Sequence, residues 1–417
     1  MPRAPLPEKT SDIHILAKPS GAICNLDCAY CFYLEKQRFY PKEPGGVRMA
    51  DDVLERYTRD FIASQSGANV TFAWQGGEPT LLGVDFFRRA VSLQKQYAAG
   101  RTITNTLQTN GILLDDAWGD FLAQEQFLVG ISIDGPGELH DAFRVGKGGQ
   151  PTFERVMKGI RLLQAHAVEF NTLTCVHRRN SGAPLEVYRF LKEIGSGFMQ
   201  FIPIAERRRV RASGPHELVP PAFTGRARVA EWSVEPEQYG SFLTTIFDEW
   251  VRHDVGRVFV QLFDVSLEIW AGLAPSLCVF REECGDALAL EHNGDLYSCD
   301  HFVYPENRLG NIVEEGIAAL AHSPRQRRFG AAKRKTLPLY CQQCDVRFAC
   351  NGECPKHRFA RTPDGEAGLN YLCRGYKRFF HHVAPYMTFM AEQLKRGQAP
   401  AEVMAMANAQ AKAAQRQ

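Results

Sequence analysis

The sequence lacks the features typical of membrane-spanning proteins, of secreted proteins and of proteins that bind nucleic acid or membrane surfaces through a strong net charge. No apolar run reaches the length that spans a bilayer, and the first residues, MPRAPLPEKTSDIH, lack the apolar core of a secretory signal. The 49 basic and 47 acidic residues leave a net charge of +2, which is too balanced to indicate binding to nucleic acid or to a membrane surface. We therefore expect a cytoplasmic protein of 417 residues, built from one large domain and a smaller appendage.

Cysteine is the informative part of the composition. The 12 cysteines are too few for a disulfide scaffold and too clustered to be scattered core residues. Because a chain without an export signal stays in a reducing compartment, we expect the cysteines to bind a metal or an iron-sulfur cluster. Only Cys175, in the apolar segment FNTLTCV, stands alone, and we expect it to be a small buried hydrophobe. The other eleven form two groups: Cys24, Cys28 and Cys31, then Cys278, Cys284, Cys299, Cys341, Cys344, Cys350, Cys354 and Cys373.

The alternation of β-rich and helical patterns predicts the fold class. From about residue 12 to residue 204, short β-rich runs alternate with helical stretches such as 152–166, which is typical of an α/β fold with a parallel sheet. We expect that sheet to curve into a partial barrel. The six candidate strands are DIHILAKP, NVTFAW, TITNTLQ, FLVGISID, VEFNTLTCV and GFMQFIPI.

The remainder of the chain changes character several times. Residues 205–235 carry four arginines within 207–211, followed by Ser, Gly and Pro, and predict a surface loop or lid that either binds an acidic partner or forms a solvated face. A helical pattern resumes at 236–252. The cysteine-rich segment from 278 onward cannot bury enough apolar surface without inorganic cross-links. After about 396 the Ala- and Gln-rich sequence predicts a frayed helix or a disordered tail.

The first cysteine group, Cys24-x3-Cys28-x2-Cys31, lies in the loop after the first candidate strand, where an α/β barrel carries its chemistry. A 4Fe-4S cluster is usually held by four cysteines, so three thiolates leave one iron open for a substrate or cofactor. A structural zinc site is the alternative, but zinc requires a fourth ligand close by, and the nearest histidine upstream is His14.

This spacing, with Tyr30 before the last cysteine, resembles the signature of the radical S-adenosylmethionine superfamily. The segment WQGGEP at 74–79 is similar to the GGEP motif of that family, and glycine suits it because a backbone without Cβ can approach a ligand closely. QTNG at 108–111 and SIDG at 132–135 end later candidate strands, as cofactor-binding positions do in the family. Each tetrapeptide alone could be a turn or a helix cap, but their order behind three strands supports the resemblance.

The later cysteines resemble the SPASM extension found in peptide-modifying radical enzymes. Eight thiolates can hold two 4Fe-4S clusters with four ligands each, which favours electron relay over substrate chemistry. Spacing alone leaves open a pair of zinc ribbons, and it also leaves open which cysteines share a cluster. The resemblance implies Cys278, Cys284, Cys299 and Cys354 for the nearer cluster, and Cys341, Cys344, Cys350 and Cys373 for the farther one.

Within the superfamily, the sequence most resembles the anaerobic sulfatase-maturating enzymes, which convert a cysteine or serine of a sulfatase into formylglycine. The similarity runs through most of residues 10–385 and includes GISIDGP, MQFIPI and NGDLYSCDHFVYPENRLGNI. Two features depart from the family: Ala205 is smaller than the expected aliphatic residue, and the 205–235 segment is idiosyncratic. By position, the resemblance implies that the cofactor is contacted by Tyr30, Gly76, Gly77, Glu78, Ser132, Arg144 and Ala205.

The resemblance also implies the chemistry. A 5′-deoxyadenosyl radical from S-adenosylmethionine would remove a hydrogen atom from Cβ of the target residue, and Asp300, beside the ligand Cys299, would accept the thiol or hydroxyl proton. A low-potential donor such as ferredoxin or flavodoxin would supply electrons, and we expect a monomer. Asp300 could instead cap a turn, and Arg144 could bind a cofactor carboxylate or serve as a structural ion-pair partner.

These expectations divide the chain into a radical S-adenosylmethionine partial barrel at 1–235, a helical linker at 236–277, a SPASM domain at 278–385 and a C-terminal helix or tail at 386–417. Two other functions stay open. Another radical peptide modifier, such as a thioether-forming enzyme, would share both cysteine regions, although the roughly ten residues before the first strand disfavour the N-terminal peptide-recognition domain expected of such an enzyme. A zinc or iron-sulfur protein without enzymatic activity would not need an open iron beside GGEP.

Overall fold

A computed structural model describes residues 13–40, 47–210 and 217–414 of the chain. Its centre is a sheet in which six strands run parallel, each beside the next in the chain. The predicted α/β fold with a parallel sheet is therefore confirmed, and all six candidate strands are present. They are β1 His14–Lys18, β2 Asn69–Trp74, β3 Thr102–Thr109, β4 Leu128–Ser132, β5 Phe170–Val176 and β6 Phe198–Pro203.

Helices connect the parallel strands. A parallel pair needs a crossover connection, and an amphipathic helix covers the sheet while it returns the chain to the start of the next strand. In the segment predicted as helical, Val156, Ile160 and Leu163 are buried at helical spacing, which confirms the predicted apolar face. The helices are α1 Asp51–Ser64, α2 Val84–Tyr97, α3 Asp116–Gln124, α4 Gly137–Asp141, α5 Phe153–Ala165 and α6 Pro184–Glu193.

The basic segment after β6 is more ordered than a surface loop. Within its described part, β7 Arg207–Arg209 pairs antiparallel with β8 Ala227–Val229. The Arg208 side chain is buried, stacks on the Trp232 ring and pairs with Glu231. The prediction of a solvated arginine face is therefore wrong for Arg208, because its partners come from a part of the chain that the local pattern does not reveal. Residues 211–216 lie outside the described part of the chain.

The same sheet extends at both edges beyond the first region. After α7 Pro236–His253, strand β9 Phe259–Val260 pairs with β6 and leads into α8 Gln261–Trp270, so the segment predicted as a helical linker also contributes a strand. Beyond the other edge, β10 Ala287–Glu291 pairs parallel with β1, followed by the antiparallel strands β11 Asp295–Tyr297 and β12 Arg308–Asn311. This extension places the turn after β11 beside the carboxyl end of β1.

The cysteine-rich region is made of short elements and ends in two packed helices. Val403 and Ala407 are buried, so of the two C-terminal alternatives the helix is present as far as Ala414. The expected boundary at 385 falls inside one continuous helix. No helix in the described ranges is both long and apolar enough to cross a bilayer. The elements are α9 Ile312–Glu315, α10 Ile317–Ala321, α11 Pro324–Lys335, α12 Leu339–Gln342, α13 Arg347–Cys350, β13 Ala360–Arg361, β14 Ala367–Leu369, α14 Cys373–Lys395 and α15 Val403–Ala414.

Candidate active site

A cavity of about 270 Å³ opens at the carboxyl ends of β1 to β6, the edge at which parallel α/β sheets bind ligands. The loops after successive strands meet there, so residues far apart in the sequence share one wall. Ala205 is an exception among the predicted cofactor contacts, since it is buried and lines a small neighbouring cavity. The predicted residues that line the main cavity are Cys24, Cys28, Cys31, Tyr30, Gly76, Gly77, Glu78, Ser132, Arg144 and Asp300.

The three thiols of the first cysteine group lie in a largely buried, apolar part of this cavity. Burial raises the pKa of Cys24 to about 12 and raises the pKa of Cys28 as well. Thiols in such surroundings become thiolates when a bound metal supplies positive charge. Three soft sulfur donors in one apolar wall therefore fit a 4Fe-4S cluster with one open iron.

Cys175 lies in the same cavity and is not simply a buried hydrophobe. It is half-buried, and Nη2 of Arg144 donates a hydrogen bond to its Sγ at 3.6 Å. The prediction of a small buried hydrophobe is therefore wrong, because β5 ends at the cavity and turns this side chain toward a charged group.

The GGEP segment is joined to the first cysteine loop by backbone hydrogen bonds. The Gly77 N–H donates to the Gly21 carbonyl at 2.8 Å, and the Glu78 N–H donates to the Ile23 carbonyl at 2.8 Å. A Cβ on Gly77 would stand 2.0 Å from the Ile23 carbonyl oxygen. Glycine is therefore required here for the close approach of two protein backbones, whereas we inferred from the sequence an approach to a ligand.

Glu78 connects the second and third strand ends. Its buried carboxylate accepts hydrogen bonds from the Asn110 N–H at 2.8 Å, the Thr109 hydroxyl at 2.7 Å and Thr80. Burial raises its pKa, and these hydrogen bonds oppose that shift. Glu78 thus holds the QTNG turn against the GGEP turn, and its contact with a cofactor stays a prediction.

Arg144 forms a buried ion pair beneath the cysteine loop. Its Nε lies 3.0 Å from Oδ2 of Asp134, which is fully buried and also accepts a hydrogen bond from the Tyr30 hydroxyl. Burial by itself would raise the pKa of Asp134, but the Arg144 guanidinium, together with His177, His140 and the Tyr30 hydrogen bond, outweighs burial and holds that pKa below its ordinary value. The ion-pair interpretation of Arg144 therefore applies, and the binding of a cofactor carboxylate stays a prediction.

Asp300 faces the cavity from the turn that follows β11. Its carboxylate pairs with Nζ of Lys18, the last residue of β1, rather than with a backbone N–H of its own turn. Burial alone would raise the pKa of Asp300, but the charge and hydrogen bond of Lys18, together with the charges of His301 and Lys356, outweigh burial and hold that pKa below its ordinary value. A carboxylate at a cavity wall can accept a proton from a group that enters the cavity.

The eight later thiols separate into two groups. One small cavity is lined by Cys341, Cys344, Cys350 and Cys373, the four cysteines expected at the farther cluster. Charges on Cys278 and Cys284 act on the pKa of Cys299, and those on Cys299 and Cys278 act on the pKa of Cys354, so the other four also lie near one another. Each group offers four soft donors, which fits a fully ligated 4Fe-4S cluster.

The structure adds polar residues to the site that the sequence did not reveal. Lys18 is buried at the cavity, and the mostly buried side chain of Lys356 lines the same cavity and pairs with Glu206. The ring of His301 lies with Nδ1 3.5 Å from Sγ of Cys354. The only local signal for Lys18 is a lysine ending the otherwise apolar strand HILAK, where a buried charge requires a partner.

Comparison with known proteins identifies the same two regions. Residues 19–191 match the model of the Radical SAM superfamily, and residues 278–345 match that of the SPASM iron-sulfur cluster-binding domain. The chain is 50% identical over 392 residues to a serine-type anaerobic sulfatase-maturating enzyme of Bacteroides thetaiotaomicron, covering 94% of each chain. It is 32% identical over 386 residues to a cysteine-type enzyme of Clostridium perfringens, covering 92% of this chain and 99% of the relative.

The fold agrees with a solved structure of native anSMEcpe with bound AdoMet and the Kp18Cys peptide. The TM-score is 0.78 at 32% identity, over 91% of this chain and 99% of that one. The agreement spans the parallel sheet and the cysteine-rich region, which confirms the predicted barrel followed by a SPASM domain, together with 4Fe-4S clusters and S-adenosylmethionine as cofactors. On both sequence and structure, this chain belongs to the anaerobic sulfatase-maturating enzymes of the radical S-adenosylmethionine superfamily.

Proposed function

We propose that this protein oxidises Cβ of a serine or cysteine in a sulfatase to the aldehyde of Cα-formylglycine. The observation that carries the proposal is the convergence of the three-cysteine loop, the GGEP loop and an ionised aspartate on one cavity. When bound, the cofactors supply the radical that removes a hydrogen atom from Cβ and the electron-transfer chemistry of fully ligated clusters.

The residues of the chain have separate tasks in this proposal. Cys24, Cys28 and Cys31 would hold the cluster with the open iron, and the eight later cysteines would hold the other two clusters. The Asp134–Arg144 pair orients the Tyr30 side chain within the cysteine loop. Asp300 accepts the proton that the thiol or hydroxyl of the target must lose for the carbon to become an aldehyde or thioaldehyde.

A peptide assay tests the proposal. The anaerobically reduced enzyme is incubated with S-adenosylmethionine and a peptide carrying the motif Cys-x-Pro-x-Arg or Ser-x-Pro-x-Arg, and the peptide is then weighed. We expect a loss of about 18 Da from the cysteine peptide after hydrolysis of the thioaldehyde, or about 2 Da from the serine peptide. An unchanged peptide alongside vigorous release of 5′-deoxyadenosine would instead support another radical peptide modification.

The variant Asp300→Asn tests the role of the base. Asparagine keeps the size of the side chain but cannot take up the proton, so aldehyde formation should slow sharply while cleavage of S-adenosylmethionine continues. General bases contribute about 10²- to 10⁴-fold to rates, so a loss in this range is expected. Aldehyde formation at the wild-type rate would remove Asp300 from the mechanism.

We also propose that the enzyme is a cytoplasmic monomer reduced by a ferredoxin or flavodoxin. The balanced net charge of the sequence and the clustered cysteines, which need a reducing compartment, support this view. Light scattering of the anaerobic protein would measure its mass, and turnover with each purified donor would test the electron source.

A further inference from the structure

Lys18 is a buried lysine at the active-site cavity to which the proposed function assigns no role. Lys18 ends β1, which lies between β10 and β2 in the sheet, and the residue is 1% exposed. Burying an ammonium group is costly unless it is paired. Its Nζ contacts the Asp300 carboxylate and lies 4.3 Å from the centroid of the Tyr33 ring, so the residue is held on two sides.

The two members of this ion pair differ in their access to the cavity. The Asp300 side chain keeps 15% of its surface accessible, whereas the Lys18 side chain keeps 2%. Both side chains line the cavity, and the carboxylate is the more accessible of the two to a target residue that enters it.

Lys18 and Asp300 also differ in the secondary-structure elements that carry them. Lys18 stands on a central strand with hydrogen-bonded neighbours on both sides, whereas Asp300 begins a 3₁₀ turn of three residues. Short 3₁₀ turns have poor hydrogen-bond geometry and do little to fix a side chain. The rigid partner is thus Lys18, and it determines where the Asp300 carboxylate points.

Nearby groups are engaged elsewhere and do not replace Lys18. Lys356, another cation near Asp300, pairs with Glu206, and His301 lies with its ring nitrogen at Sγ of Cys354. The Tyr33 hydroxyl donates to Glu291, so it does not donate to Asp300.

We propose that Lys18 is a positioning residue for the oxidation proposed above, on which this inference rests: its ammonium fixes the Asp300 carboxylate toward the thiol or hydroxyl of the target. When the proton moves, the S–H or O–H bond breaks, its electron pair stays on the sulfur or oxygen, and a new O–H bond forms on Asp300. Lys18 takes no part in the proton transfer and does not touch the substrate.

The variant Lys18→Met tests the proposal because methionine fills a similar volume without charge. The readout is the amount of peptide aldehyde formed per 5′-deoxyadenosine released, since a misdirected base lets the cofactor be consumed without product. We expect this ratio to fall about tenfold or more, within the range that a general base contributes, while cofactor cleavage stays within about twofold. Lys18→Arg keeps the charge and should restore part of the ratio.

A matched control is Lys36→Met. Lys36 is also fully buried, pairs with Glu35 and lies 3.4 Å from the centroid of the Tyr304 ring, but it does not line the cavity. Its replacement removes a comparable buried pair and should leave the ratio at the wild-type value. The double variant Lys18→Met/Asp300→Asn removes both charges, so its iron content shows whether the site folds without the pair.

The outcomes separate the two proposals. A wild-type ratio in Lys18→Met, a drop of equal size in Lys36→Met, or no difference between Lys18→Arg and Lys18→Met would overturn the role of Lys18. If Lys18→Met loses its iron while the double variant keeps it, the test is the ratio of peptide aldehyde to 5′-deoxyadenosine in Lys18→Arg. A ratio as low as that of Asp300→Asn would overturn the positioning role of Lys18. If the wild-type enzyme forms no aldehyde at all, the proposed function fails rather than the positioning role.

Discussion

Replacing Gly77 by alanine should separate the two loops that build the cofactor site. The added Cβ would lie 2.0 Å from the Ile23 carbonyl oxygen, about 1.4 Å short of the ordinary contact distance of 3.4 Å. The obstacle is backbone, which cannot rotate away as a flexible side chain does. Opening the loops by that amount lengthens both 2.8 Å hydrogen bonds, from the Gly77 and Glu78 N–H groups, beyond bonding distance.

The expected cost follows from these contacts. Two lost hydrogen bonds account for about 2 kcal/mol, and residual overpacking brings the decrease in the free energy of unfolding to about 2 to 4 kcal/mol. Because Cys24 follows Ile23 directly, S-adenosylmethionine should also bind more weakly. Urea unfolding of the anaerobically purified protein, followed by circular dichroism, measures the first effect, and equilibrium dialysis measures the second.

Gly182→Ala is the matched control. No heavy atom lies within 4 Å of a Cβ placed on Gly182, and its backbone, like that of Gly77, lies outside the left-handed region. Its unfolding midpoint should stay near the wild-type value. An equal midpoint and equal cofactor affinity in Gly77→Ala and Gly182→Ala would refute the argument that backbone approach requires the glycine.

Three further outcomes follow from buried groups. Arg144→Met leaves the Asp134 carboxylate buried without its cation and should cost about 3 to 5 kcal/mol of stability in urea unfolding, with partial recovery when Asp134→Asn is added. Burial lowers the pKa of His140 to about 4, so unfolding takes up a proton below about pH 6.5. The free energy of unfolding should therefore fall by up to about 3 kcal/mol as the pH drops from about 6.5 to about 4. His140→Gln should flatten this pH dependence, and an unchanged dependence would contradict the assignment to His140. Val403→Ala should cost about 1 to 2 kcal/mol because Val403 is fully buried, whereas exposed Val313 should tolerate alanine.

Local sequence patterns were enough for the parallel strands and the first cysteine loop. The strand at 69–74 carries its apolar residues and its GGEP turn in one continuous segment, and the three cysteines lie within eight residues. Such local patterns can be recognised without knowledge of tertiary contacts, because a strand, a turn or a ligand spacing is defined by residues that are neighbours in the chain.

Patterns of this kind did not reveal the strands at the edges of the sheet. β9 has two residues, too few for a period to show. β10, ALALE, is almost wholly buried and so lacks the polar and apolar alternation of a half-exposed strand. Burial of Arg208 was missed for a related reason, since its stacking partner Trp232 lies beyond the local window.

The chemistry that the chain can carry is already visible in the order of its residues: three closely spaced thiols, a glycine-rich turn and a second set of eight cysteines. Which charges meet depends on the fold. The pairing of β10 with β1 brings Asp300 to Lys18, and the ends of β4 and β5 gather Tyr30, Asp134 and Arg144 beneath the cysteine loop. Such contacts depend on which strands lie side by side, and that choice is set by burial over the whole sheet rather than by any short segment.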